Sequence, residues 1–107
     1  MSAQDQLLRD RLRQRRTGPA RLRLGHTVAT PGAIEALTEH GVNSLSLVHR
    51  HARGDWGDVD AHDAAANDRA VTEGTRVLSA YETAAGRIWV ITEADRSSTT
   101  VLLPSEY

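Results

Sequence analysis

Two groups of side chains in this sequence have types that could do chemistry. The denser one is His49, His51, Asp55, Asp58, Asp60, His62 and Asp63. Imidazoles and carboxylates this close in the chain can hold a divalent cation. The spacing is not diagnostic, because no His-Glu-x-x-His pair is present and His49 and His51 share a face only on a strand. His49, His51, Asp55 and His62 are therefore the candidate metal ligands for a metal-dependent hydrolase. The competing reading makes the aspartates helix caps and the histidines solvated, and no metal or cofactor is expected. The second group is Glu93, Asp95, Arg96, Ser97, Ser98, Thr99 and Thr100. With an imidazole it has the parts of metal-independent RNA cleavage, in which a base takes the 2′-hydroxyl proton while a cation holds the phosphate. His49 or His51 would be the base, Arg96 would hold the phosphate, and Glu93 and Thr99 would assist. Against this stands a plain polar hairpin turn with strand-favouring threonines. No P-loop, dinucleotide fingerprint or Gly-x-Ser-x-Gly elbow occurs.

A third feature is charge. Residues 1–24 contain Arg9, Arg11, Arg13, Arg15, Arg16, Arg21 and Arg23 against Asp5 and Asp10, a balance of +5. The rest has six arginines against twelve acids, a balance of −6, so the net −1 hides a polarity. All 13 basic residues are arginine, which suits bidentate phosphate contacts, although coding bias gives the same composition. These seven arginines are the candidate contacts to nucleic acid or to an acidic protein surface. Gly18-Pro19 breaks any helix begun by Leu7, Leu8 and Leu12. Residues 1–23 read as a flexible arginine-rich extension and residues 24–107 as one domain.

The elements that must position these groups have clear punctuation. His26–Ala29 is a short strand candidate. Thr30-Pro31 starts a helix, with threonine as N-cap and proline at the first position, and Gly41 ends it. Ser44 could cap a second helix, but the alternation Leu45, Leu47, His49, His51 fits a strand equally well. Trp56 anchors the loop at residues 53–58 by burial. Asp60 caps a third helix that stops at Gly74, and Asn67 on its apolar face needs a hydrogen-bonding partner. Residues 76–82, 87–93 and 99–103 then alternate as strands. The fold class is thus α+β, with N-terminal helices followed by a three-stranded antiparallel meander, or a four-stranded sheet if His26–Ala29 joins. A four-residue loop at 83–86 sets Glu82 opposite Arg87, Ala80 opposite Trp89, Leu78 opposite Ile91 and Arg76 opposite Glu93. In that register Leu78, Ala80, Trp89 and Ile91 make the face for the helices to cover. Glu93 is neutralised there by Arg76 and becomes a poor general base.

A chain of 107 residues without cysteine excludes disulfides and thiolate chemistry. No apolar run reaches bilayer length and none of signal-peptide length follows the N-terminus, so a cytoplasmic protein without membrane contact is expected. Four aromatics, Trp56, Tyr81, Trp89 and Tyr107, are too few for an obvious base-stacking platform.

The segments His51–Asp58, Leu78–Tyr81 and Ile88–Pro104, with Thr30-Pro-Gly-Ala33, resemble a family of short uncharacterised bacterial proteins found on plasmids, phages and other mobile elements. The resemblance covers residues 24–107. Some members carry the label of a type I restriction modification subunit. A methyltransferase needs a larger cofactor-binding domain and an Asp/Asn-Pro-Pro-Tyr/Phe motif, which this sequence lacks. The resemblance therefore implies an accessory or regulatory binding protein of a mobile element. Helices followed by a meander are also similar to the fold of barnase-like and RelE-like ribonucleases, a likeness of fold alone. The alternatives are the small metal-independent ribonuclease and the metal-dependent hydrolase; the sequence leaves ligand and oligomeric state open.

Overall fold

The computed structural model describes Ala3 and residues 18–107. The element order is β1 (His26–Ala29), α1 (Pro31–Glu39), α2 (Ser44–Ala52), α3 (Ala61–Glu73), β2 (Val77–Thr83), β3 (Gly86–Thr92) and β4 (Ser98–Leu102), closed by a 3-10 turn at Pro104–Glu106. Each helix start has a local cause. The Thr30 hydroxyl accepts from Ala33 N–H at 3.2 Å, and Asp60 Oδ1 accepts from Asp63 N–H at 2.7 Å. Gly74, at φ 75°, ends α3 in the left-handed conformation that glycine tolerates best. The cap of α2 is Asn43, whose Oδ1 accepts from Leu45 N–H at 3.0 Å; the expected cap, Ser44, is the first helical residue. Helix wins over strand here because Leu47, Val48, His51 and Ala52 fall on one buried face at helical spacing, while Leu45 is exposed.

β2, β3 and β4 form the expected antiparallel meander, and β1 joins it in parallel beside β4, giving the order β1-β4-β3-β2. The protein is α+β with a mixed sheet, and a strand precedes the helices. The expected register is present, with Ala80 opposite Trp89, Leu78 opposite Ile91 and Glu82 opposite Arg87. The covered face is the other one. Helices α1 and α2 pack their Ala33, Leu37, Leu47 and Val48 against Tyr81, Ile88, Val90 and Val101. Val77, Ser79 and Thr92 on this face are fully buried as well. Three hydroxyls made this face look mixed, but they are satisfied internally, as described below. The wholly apolar face is not the one α1 and α2 cover, yet Ala80 and Ile91 on it are buried too, and there Trp89 meets the Tyr107 ring edge-on at 5.6 Å.

The body also begins earlier than expected. Leu22 is buried with Trp56, Ala70 and Val77, and Arg21 and Leu22 both donate backbone N–H to Ala52 C=O at 2.7 and 3.1 Å. A boundary between residues 23 and 24 thus cuts through a packed cluster. One leucine among arginines carries no periodicity that could announce its burial.

Gly57 positions the next loop. It sits at φ 74° and bridges to Ala80, so close that a Cβ would overlap the Ala80 carbonyl oxygen and the Tyr81 ring. Gly57→Ala is expected to destabilise the fold by roughly 2–4 kcal/mol, from the left-handed backbone and the overlap together. A urea midpoint within error of wild type would show that the bridge is absent in solution.

Candidate functional site

The sequence candidates lead to one buried imidazole. His51 lies in the last turn of α2 with no exposure, its ring edge-on to Trp56 at 5.9 Å. Its Nδ1 is 2.6 Å from Ser79 Oγ and its Nε2 is 2.8 Å from Thr92 Oγ1. Thr92 Oγ1 is 2.7 Å from Thr99 Oγ1, and Thr99 donates to Leu24 C=O at 2.8 Å. Counting places the protons from Thr99 back to Nε2, and burial, which disfavours a charged ring, leaves Nδ1 without one. A carbonyl only accepts, so the one hydroxyl proton of Thr99 goes to Leu24, and Thr92 must donate to Thr99. Thr92 then has no proton left for His51, so Nε2–H donates to Thr92. Nδ1 is bare and accepts from Ser79. The imidazole is neutral, in the Nε2–H form, and both ring nitrogens are satisfied. Burial lowers its pKa to about 3, assisted by the positive charge of Arg96.

A second lattice packs beside the first. Arg50 grips Asp55 with two nitrogens, Nε–Oδ2 at 2.7 Å and Nη2–Oδ1 at 3.3 Å, and lies 4.5 Å above the Tyr81 ring. The Tyr81 hydroxyl donates to Asp55 C=O at 2.6 Å, and burial pushes its pKa up. Trp56 Nε1–H donates to Asp68 Oδ1 at 3.0 Å. Asn67 finds the partner its position required, exchanging two hydrogen bonds with the Leu78 backbone at 2.8 and 3.2 Å.

The remaining ribonuclease candidates do not meet in a cleft. Thr99 belongs to the buried chain, one hydroxyl away from His51. Glu93 is paired with Arg76, Oε1 to Nη2 at 2.9 Å, as the register implied. Arg96, a non-glycine residue at φ 60°, spends its guanidinium on carbonyls: Thr75 at 2.6 Å, Ala70 at 2.8 Å and Glu93 at 3.1 Å. It thereby supplies a cation to the C-terminal end of α3. His49 lies on the exposed side of α2. A phosphate brought to Arg96 would thus find neither a free carboxylate at Glu93 nor a reachable imidazole at His51.

The metal candidates disperse as well. His51 and Asp55 are bound as above, His49 faces solvent, and His62 sits on the first turn of α3. Another set, Asp60, His62 and Asp63, places its ligand atoms within 4.8 Å of one another, all on exposed side chains at the start of α3. Asp60 is engaged there as the helix cap.

Of the basic candidates, Arg21 and Arg23 are exposed, and Arg9, Arg11, Arg13, Arg15 and Arg16 lie outside the described residues. Arg21 and Arg23 line an open groove of about 330 Å³ with Arg96, Leu22, Thr72 and Glu73, at the C-terminal end of α3. Sequence reading did not find the partners of His51, Ser79 and Thr92, since their proximity is set by tertiary packing. The available signal was a histidine in the apolar spacing Leu47, Val48, His51, Ala52. Among the described residues no helix is long and apolar enough to cross a membrane. No protein-family model matches the chain, and neither a curated protein nor a solved structure is significantly similar to it.

Proposed function

We propose that the chain is an accessory binding protein of a mobile genetic element, contacting the phosphates of nucleic acid through its arginine-rich N-terminal segment and catalysing no reaction itself. The observation that carries this reading is the root of that segment, where Arg21 and Arg23 stand exposed along a groove at the C-terminal end of α3. Guanidinium groups suit phosphate oxygens, and five further arginines precede them in the sequence. The −6 balance of residues 25–107 confines attraction for a polyanion to this end of the molecule. Against the ribonuclease alternative weigh a base candidate buried as a neutral imidazole and a phosphate-holding candidate occupied by carbonyls. The metal-dependent alternative has its expected ligands apart.

Binding is then nonspecific and salt-dependent. Titration of fluorescent duplex DNA between ~50 and ~200 mM salt is expected to give a linear fall of log K with log salt, and replacing Arg21 and Arg23 by alanine is expected to reduce the slope by about 2. Equal affinity and slope in the double variant would overturn the role of the groove. Tight binding to an acidic protein but none to DNA would transfer the reading to an acidic partner.

A further inference from the structure

The two edges of the sheet are finished in opposite ways. On β2 every outward backbone group from Leu78 to Ala80 is occupied. Asn67 takes both the N–H and the C=O of Leu78, the Trp56 carbonyl accepts from Ala80 N–H at 3.1 Å, and Asp58 N–H donates to Ala80 C=O at 2.6 Å. Asp58 Oδ2 then receives Glu82 N–H at 2.8 Å. A helix side chain and a whole loop are committed to closing this edge.

β1 has no such cover among the described residues. His26 N–H donates to Ser97 C=O and Thr30 N–H to Val101 C=O, both at 3.0 Å, so the even-numbered residues turn their backbone toward β4. By strand alternation Thr27 and Ala29 present N–H and C=O outward. The strand is short, four residues, but it carries none of the side-chain devices that blunt an edge: no lysine, no carboxylate, no bulge, and no proline before Pro31. Its central side chain, Val28, is 50% exposed.

We infer that β1 is the seam of a symmetric homodimer, two copies pairing antiparallel about a two-fold axis at Val28. The parity of the outward groups fits this register. Thr27 faces Ala29 of the partner subunit as a hydrogen-bonded pair, and the symmetric pair repeats it, giving four backbone hydrogen bonds. Val28 then meets Val28 of the partner subunit at the non-hydrogen-bonded position, where side chains approach most closely. An antiparallel strand is its own complement under a two-fold, and the His-Thr-Val-Ala strand brings no carboxylates or ammonium groups into register. The two sheets become one eight-stranded sheet. The area is small: a seam of four residues a side falls below the ~1,200 Å² of a standard stable interface, so the dimer forms reversibly with concentration. The inference does not depend on nucleic-acid binding.

Sedimentation velocity of the full chain from ~5 to ~500 μM is the test, run at ~0.3 M salt to screen the N-terminal arginines. Wild type is expected to shift from one to two chain masses. Val28→Arg, which sets like charges opposite each other on the axis, is expected to weaken association at least about tenfold while leaving the melting temperature of the dilute protein unchanged. Leu45→Arg, at the 58% exposed residue of α2, is expected to dimerise like wild type. A wild type that stays monomeric throughout, a Val28→Arg variant that associates as wild type does, or loss of the dimer in Leu45→Arg would each overturn the seam.

Discussion

Acidifying the protein from pH 7 to pH 3 is expected to remove about 4–5 kcal/mol of folding stability through His51 alone. The unfolded imidazole takes a proton near its ordinary value of 6.5, whereas in the fold it resists until about 3. The stability is therefore complete above pH 6.5 and is lost progressively as the pH falls toward 3, because only the unfolded chain gains the proton. At 1.36 kcal/mol per unit the interval amounts to about 5 kcal/mol, a large share of the roughly 5–15 kcal/mol that holds a domain together. Asp95, held down by hydrogen bonds from Ser97, and Glu106, held down by those from Thr30 and Leu103, titrate below 3.8 and 4.5 respectively. Over the window from pH 6.5 to 4.5 His51 is expected to contribute a loss of about 2–3 kcal/mol. Urea midpoints at half-unit steps measure it. His51→Gln, which has an amide to offer but no proton to gain, is expected to be less stable at pH 7 and flat across this window. Should that variant fail to fold, the imidazole nitrogen shifts of wild type decide the matter. They must stay those of the neutral Nε2–H form down to pH 4. Titration of this ring near 6.5, with stability flat over the same range, would remove the buried hydroxyl chain from the account.

That chain marks where the sequence stops being legible. Caps and stops at Thr30, Asp60 and Gly74 were readable because each acts within one turn of its own helix. The register of β2 against β3 was readable because a short loop leaves few ways to align two alternating strands, and it placed Arg76 across from Glu93 before any distance was known. The face that the helices cover was not. Ser79, Thr92 and Thr99 look like solvent-facing positions until an imidazole from α2 arrives to bond two of them. Nothing local to β2 or β3 encodes that arrival. The parallel placement of β1 was illegible for the same reason, since its partner β4 lies some seventy residues away. In the candidate site, sequence alone correctly weakened Glu93, while the burial of His51 and the occupation of Arg96 depended on contacts between distant segments.

Replacing Trp56 by alanine is expected to cost roughly 3–5 kcal/mol, the range for a buried aromatic. The ring is 4% exposed, and three independent supports converge on it. It packs with Leu22, Ala70 and Val77, donates Nε1–H to Asp68, and lies edge-on to His51. Trp56→Phe keeps most of the packing and removes the indole donor, so it is expected to cost less, about 1–2 kcal/mol. The alanine variant carries a second consequence that a mere loss of packing elsewhere would not. Trp56 is part of what keeps water from His51, and a cavity of its size admits water beside the imidazole. Desolvation is the main cause of the lowered His51 pKa, so in Trp56→Ala the value moves back toward 6.5. The variant is then weaker at pH 7 but loses less on acidification to pH 4.5, and its stability profile converges on that of wild type. Urea denaturation at both pH values reads the two effects together. An unchanged midpoint at pH 7 would place the Trp56 ring in solvent and free it as a contact for a partner. A lowered midpoint with the full acid loss retained would mean that His51 is shielded by other groups.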